Sequence, residues 1–266
     1  MSLSTEAESF SAPFYQRRAF HDNSMPRSHL EYPDSCGSAT TVASVEPTSS
    51  KTDFKKTITA YSARRGRFEI VEVPPLAYLA VDGSGDPNTS AEYAAALGAL
   101  YPLAYTLKFA SKVLSKDYVV MPLEALWWAK DMNAFTVDRD KSQWNWTAMI
   151  MIPDWIDTAM FHAAVAAVQK KFRDSKRDCP VRLCDVRLLL LEEGMSVQTL
   201  HIGPYDEEAA VLSTMHNEFI PAAQLHMTGK HHEIYLNDVR RTAPSKLRTI
   251  LRQPVSPAGE SNRTAQ

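Results

Sequence analysis

Cysteine is scarce: the chain of 266 residues has three, Cys36, Cys179 and Cys184. So odd and sparse a set excludes a disulfide framework and fits free thiols in a reducing compartment. Cys179 and Cys184 are too widely spaced for a two-residue metal knuckle, and His201 is not placed to complete one, so no metal site and no cofactor are expected. No apolar run reaches the roughly 20 residues that a bilayer span takes. The opening MSLSTEAESF lacks the basic and apolar regions of a secretory signal. The cytoplasm is therefore the expected compartment, with no membrane partner. A charge excess is missing too. Lys+Arg 29 against Asp+Glu 31 leaves a net of −2, and nothing pulls the chain toward nucleic acid. The Asp82-Gly83-Ser84-Gly85 turn lacks the lysine and the longer glycine pattern of a phosphate loop, and no Gly-x-Ser-x-Gly elbow occurs.

What is present falls into three segments. Residues 1–52 are rich in Ser, Thr, Pro and Glu and read as a disordered tail without the paired amphipathic helices of a DNA-binding head. Residues 53–255 read as the folded domain, and 256–266 as a second frayed tail. Within the domain, FEIVEVPPLAYLAVDGSG (68–85) and RLLLLEEGMSVQTLHIGPY (187–205) share one punctuation. Each is a β-rich stretch broken midway, by Pro74-Pro75 or by Glu193-Gly194, and running on to a glycine, Gly83 or Gly203. A helix is expected after each, 89–114 with Thr89 or Ser90 as cap, and 206–225 with an acidic first turn. Strands 118–128 and 231–236 follow, so the pattern is an internal repeat. Trp144–Ile152 reads as a further strand. Asp154–Arg173 reads as an amphipathic helix capped by Asp154 and linking the two repeats. Such units, related by a pseudo-twofold, leave a cleft where they meet.

The stretch GKHHEIYLNDVRRTAPSKLRTILRQPV (229–255) carries the most chemistry. Its first half is a strand with Glu233 and Tyr235 on one face and His232, Ile234 and Leu236 on the other. Thr242-Ala243-Pro244 looks like a helix start. If its face is buried, Glu233 must find a cation, a proton or a ligand. Exposure to water, or pairing with Arg240 or Arg241, explains it equally from spacing alone. His231 and His232 point to opposite faces and cannot easily share a metal with Glu233. Aromatics cluster in the first repeat, Tyr101 and Tyr105 on one helix face and Trp127, Trp128, Trp144 and Trp146 on two strands, while Tyr205 and Tyr235 sit in the second. Taken with Glu124 and Glu233, they suggest a box for a flat or cationic organic molecule. His201, at the end of a repeat strand, is either a proton shuttle or a half-buried strand residue.

The motifs AYLAVDGSGDPN, LYPLAYTLKF, DYVVMPLEALWW, HIGPYDEE and KHHEIYLNDVRRTAPSKLRTILRQPV together resemble the GyrI-like small-molecule-binding family over about residues 55–255. More narrowly, they resemble its stand-alone branch. The resemblance implies an α+β fold of two strand-helix-strand-strand repeats in a curved antiparallel sheet around a ligand cleft. It also implies a glutamate at the position of Glu233 that contacts aromatic ligands. Members of that branch are cyclopropanoid hydrolases, which open a strained cyclopropane ring with water. By that resemblance Glu233 would activate water, and Tyr105 or a protonated Glu124 would bond the oxygen that gains charge. Tyr101, Trp127, Trp128, Trp146, His201, Tyr205 and Tyr235 would hold the substrate. A non-catalytic drug-sequestering protein and a gyrase-inhibitor-like interaction protein are the alternatives. The oligomeric state, monomer or homodimer, stays open.

Overall fold

The computed structural model describes residues 51–129 and 141–259. The expected tail before residue 51, most of the loop between Trp128 and Trp144, Cys36 and the last seven residues lie outside the described residues. A single turn, α1 (Phe54–Thr57), leads to β1 (Glu69–Val73) and β2 (Leu76–Ser84). Then come α2 (Ala91–Val113), β3 (Leu123–Trp128), β4 (Asn145–Ile152), α3 (Thr158–Asp174), β5 (Arg187–Leu191) and β6 (Gly194–Ile202). The second repeat continues with α4 (Glu208–Thr214), a π-helical turn (Met215–Phe219), α5 (Ile220–Ala222), β7 (Leu225–Met227), β8 (His231–Tyr235) and β9 (Arg248–Pro257).

The strands form one antiparallel α+β sheet in the order β1-β6-β9-β8-β3-β4-β2-β5, with β7 added to β9. The expected pseudo-symmetry is visible in that order. β6-β9-β8 from one repeat mirrors β2-β4-β3 from the other, and the two meet where β3 pairs with β8. The midway breaks explain the outer strands. β1 leaves β2 at Pro74-Pro75 and pairs with β6, while β5 leaves β6 at Glu192-Glu193 and pairs with β2. Each repeat thus lends its leading strand to the other, and these short joins curl the sheet so that its ends approach.

The helices start where local chemistry allows. Ser90 caps α2, its side chain accepting from the Tyr93 amide. The cap of α3 is Asp157, not Asp154, and that helix begins at Thr158 because 153–156 form a turn after Pro153. β3 begins at Leu123 instead of 118, since Pro122 brings no ladder donor and Tyr118 bridges to Thr52. The largest departure follows β8. Thr242-Ala243-Pro244 starts only a 3-10 turn at Pro244–Lys246, and the chain then becomes the ten-residue strand β9. That strand extends to Pro257, beyond the expected limit of the fold at 255. α2 packs on β2 and β4, and α3 packs on α2. Gly83 admits the Trp146 ring onto β2: a Cβ there would fall within the indole. Among the described residues no helix is long and apolar enough to cross a membrane.

Candidate functional site

Strand register decides which residues can meet. Glu233 lies opposite Ala125 on β3 and Leu251 on β9, so it shares the helix-covered face with Trp127, Tyr235, His231 and Thr249. Glu124 lies opposite Ile234 and shares the other face with His232, Tyr78 and Arg252. The two glutamates expected to share one cleft are therefore on opposite sides of the sheet.

On the helix face, flanked by fully buried Ala125 and Leu251, the Glu233 carboxylate accepts a 2.6 Å bond from the Tyr235 hydroxyl. That hydroxyl in turn accepts from Trp127 Nε1 at 3.2 Å. Neither Arg240 nor Arg241 neutralises Glu233; both pair with Asp238. The Glu233 side chain is 15% exposed, open enough to meet a ligand. Aromatic walls surround it. Tyr93 from α2 stacks over Trp127 at 6.1 Å and stands edge-on to Trp146 at 4.9 Å. Tyr205 packs on Tyr235 at 5.5 Å, and Trp144 meets Trp127 at 5.7 Å. Burial raises the hydroxyl pKa of Tyr93, Tyr101, Tyr205 and Tyr235, so all four stay protonated as donors.

A second carboxyl lies near enough to feel this charge, and it is Glu208 in the first turn of α4. It is 4% exposed, and its Oε1 has no hydrogen-bond partner. Burial and then the charge of Glu233 push its pKa well up, with Thr249 pulling the other way. The arrangement is one carboxylate fixed by a tyrosine and a second carboxyl pushed by burial toward its neutral form, both on the helix side of the sheet. Glu208 escapes sequence reasoning because Asp206-Glu207-Glu208 reads as acidic residues favouring a helix N-terminus. Only the packing of α4, through Val211 and Leu212, against Val197 of β6 and Leu251 of β9 makes the third of them a buried acid. Tyr93 was missed for the same reason, as an ordinary helix aromatic.

A stability effect follows from Glu208. A carboxyl whose folded pKa is raised contributes stability that is complete below its ordinary value near 4.5 and is lost as pH rises through the folded value. Glu208→Gln is therefore expected to raise the melting temperature at pH 8 and to leave it nearly unchanged at pH 4. Thermal denaturation at the two pH values measures this.

The other expected residues take varied positions. Tyr101 is half-buried near Tyr93 and Tyr205, within the cleft. Tyr105 is 49% exposed at the rim, beside Arg240, too far out to face the floor. Trp146 is fully buried behind Tyr93 and backs the cleft without lining it. Trp128 is on the opposite face, under the Lys230 ammonium at 3.2 Å. His201 shares the helix face but lines a groove of about 440 Å³ with Arg65, Phe68 and Glu207, its Nε2 donating to the Pro204 carbonyl at 3.1 Å.

Glu124 belongs to a buried polar network inside the curl of the sheet. It accepts from Tyr61 at 2.6 Å and meets His232 Nε2 at 3.0 Å. His232 Nδ1 meets Glu193 at 3.0 Å, and Glu193 accepts from Arg252 at 2.8 Å. Arg252 also donates to the Ala60 carbonyl at 2.6 Å and to Gln198 at 3.2 Å. Burial pushes the Glu193 carboxyl up, but His232 and Arg252 outweigh it and set it at about 2. Burial pushes the His232 imidazole down, but Glu193 and Glu124 outweigh that and raise it. Because His232 and Glu233 are adjacent, this network anchors the strand that presents Glu233. Among the described residues no group of three or more His, Cys, Asp or Glu could hold a metal ion.

No curated protein matches the chain. Similar solved structures include an uncharacterized conserved protein from Listeria innocua at 38% identity, with a TM-score of 0.69, matched over 77% of this chain and all of that one. Two structures of Listeria innocua proteins described as hydrolases match over the same shares, at 37% and 36% identity and a TM-score of 0.66 each. The family model for the GyrI-like small molecule binding domain covers residues 67–256, and with the mirrored repeats around the Glu233 cleft it places the chain in its family. The protein belongs to the GyrI-like small-molecule-binding domain family.

Proposed function

We infer that the protein is a cofactor-independent hydrolase that adds water to a strained, electrophilic ring on a flat aromatic molecule, a cyclopropanoid alkylator being the fitting substrate class. The observation that carries this reading is the pair of unlike carboxyls, Glu233 bonded by Tyr235 and Glu208 kept protonated by burial and by its neighbour's charge. The substrate's ring system lies against the partly buried Tyr93, Tyr101 and Tyr205, with buried Trp127 packed behind Tyr93. The Glu233 carboxylate takes a proton from water as the water oxygen bonds to a cyclopropane carbon. The cyclopropane C–C bond breaks, and its electron pair passes through the conjugated system to the carbonyl oxygen, which takes the proton of Glu208. Water is consumed, the ring opens and no redox partner is needed. That two similar Listeria proteins are described as hydrolases supports the same reaction type.

Sequestration without turnover is the second reading, favoured by the electron-rich rings beside an anionic group, which suit an aromatic cation. One experiment separates the two. Purified protein is incubated with a cyclopropyl-dienone alkylator, with mass spectrometry of the compound and tryptophan fluorescence read together. Hydrolysis gives saturable quenching and catalytic gain of one water. Saturable quenching with unchanged compound means a binding protein.

A further inference from the structure

Two histidines beside the cleft have no task in the chemistry above. His231, two residues before Glu233 on the same strand face, is 8% exposed, and neither of its ring nitrogens has a hydrogen-bond partner. Its Nε2 stands 3.5 Å from Glu233 Oε1, just outside a good hydrogen bond. Its ring is edge-on to His216, with centroids 5.9 Å apart, and His216 Nε2 is also buried without a partner. Buried polar nitrogens are rarely left unpaired, and three on two neighbouring rings beside a carboxylate call for a purpose.

The backbone points the same way. His216 lies in the π-helical turn Met215–Phe219, between α4 and α5. Pro221 brings no amide hydrogen to the next turn, and the wider π turn before it re-aims the side chains it carries. His216 is only partly buried, so it links the buried His231 to the surface.

We propose that His231 and His216 form the proton exit of Glu233. This rests on the hydrolase reading for the origin of the proton. After ring opening, the proton on Glu233 passes to His231 Nε2, the Nδ1 proton of His231 leaves toward His216, His216 delivers a proton to bulk water, and one proton returns from bulk water to Glu208, so that both carboxyls are reset and no net proton is released. Only O–H and N–H bonds change, and no electrons are transferred. Burial and then His231 lower the His216 pKa to about 4, so at neutral pH His216 is uncharged and can accept. Besides the two histidines, the ionisable groups that feel Glu233 include Tyr235, bonded to it, Tyr93, Tyr205 and Glu208. Lys230, on the adjacent strand position, is over Trp128 on the other face.

The test compares first-turnover and steady-state ring opening in the full chain, in His216→Gln and in His231→Gln. In both variants the steady-state rate should fall at least about tenfold further than the first-turnover rate, and added imidazole should restore it. Equal loss in both phases without rescue would mean a structural role and overturn the exit path. A second measurement needs no substrate. With ¹⁵N-labelled histidine, Glu233→Gln should perturb the ring-nitrogen signals of both His231 and His216. Unmoved signals overturn the path whatever the turnover. If the native protein opens no ring at all, the hydrolase reading fails, and these signals alone decide whether the three groups are coupled.

Discussion

Glu233→Gln should lower ring-opening turnover at least about 100-fold while quenching by the same compound saturates at a similar concentration. The amide keeps the shape and can still meet the Tyr235 hydroxyl, but it cannot take a proton from water. On the hydrolase reading the substrate is held by Tyr93, Tyr101 and Tyr205, which the substitution leaves in place. Glu208→Gln removes the proton donor and leaves a hydrogen-bond donor, so a smaller loss of about tenfold to 100-fold is expected. The pH profile separates the two roles. Turnover in the native protein should fall on the alkaline side as Glu208 ionises through its raised pKa. Glu208→Gln should lose that alkaline limb. The variants Trp128→Phe and Glu124→Gln act on the opposite sheet face, so they touch neither the base nor the donor.

The second large effect is on stability. Arg252 is fully buried and bonds Glu193, Gln198 and the Ala60 carbonyl. Arg252→Met leaves the Glu193 carboxylate buried with a lost partner, and a loss of about 3–5 kcal/mol is expected by urea denaturation at pH 6. Glu193→Gln should cost a similar amount, and the double variant less than the sum, because the two share one interaction. The pH dependence has a definite sign. Glu193, depressed from 4.5 to about 2, contributes stability that is complete above pH 4.5 and is lost as pH falls through about 2. His232, raised above 6.5, contributes stability that is complete below pH 6.5 and is lost as pH rises through its folded value. The network is therefore strongest between roughly pH 4.5 and 6.5. In Glu193→Gln the acid limb should be much reduced.

Much of this architecture is legible in the chain. The break at Pro74-Pro75, and the one expected at Glu193-Gly194 and found one residue earlier at Glu192-Glu193, mark where leading strands change partner, and Ser90 marks the start of α2. The alternation in His231–Tyr235 separates Glu233 and Tyr235 from His232 correctly. What escapes is set by distant residues. Arg252 looks like a surface residue until Glu193, 59 positions away, meets it in the interior. Thr242-Ala243-Pro244 carries a genuine local helix signal, yet β6 and β8 offer the following residues two ladders, and the strand wins. Glu124 and Glu233 look equivalent in sequence, but the pairing of Ala125 with Glu233 sets them one residue out of phase, and one residue is a whole face. Glu208 becomes an acid of the cleft only through burial that its own helix signal does not reveal.

The most direct measurement is a first-turnover reaction in ¹⁸O-labelled water with enzyme in excess over a cyclopropyl-dienone compound, followed by mass spectrometry of product and of the peptide containing Glu233. If Glu233 activates water for direct attack, the product carries one ¹⁸O from the first turnover and the peptide stays unlabelled. Label in the Glu233 carboxylate with unlabelled first product would make Glu233 the nucleophile, and recovery of unchanged compound would contradict the hydrolase altogether.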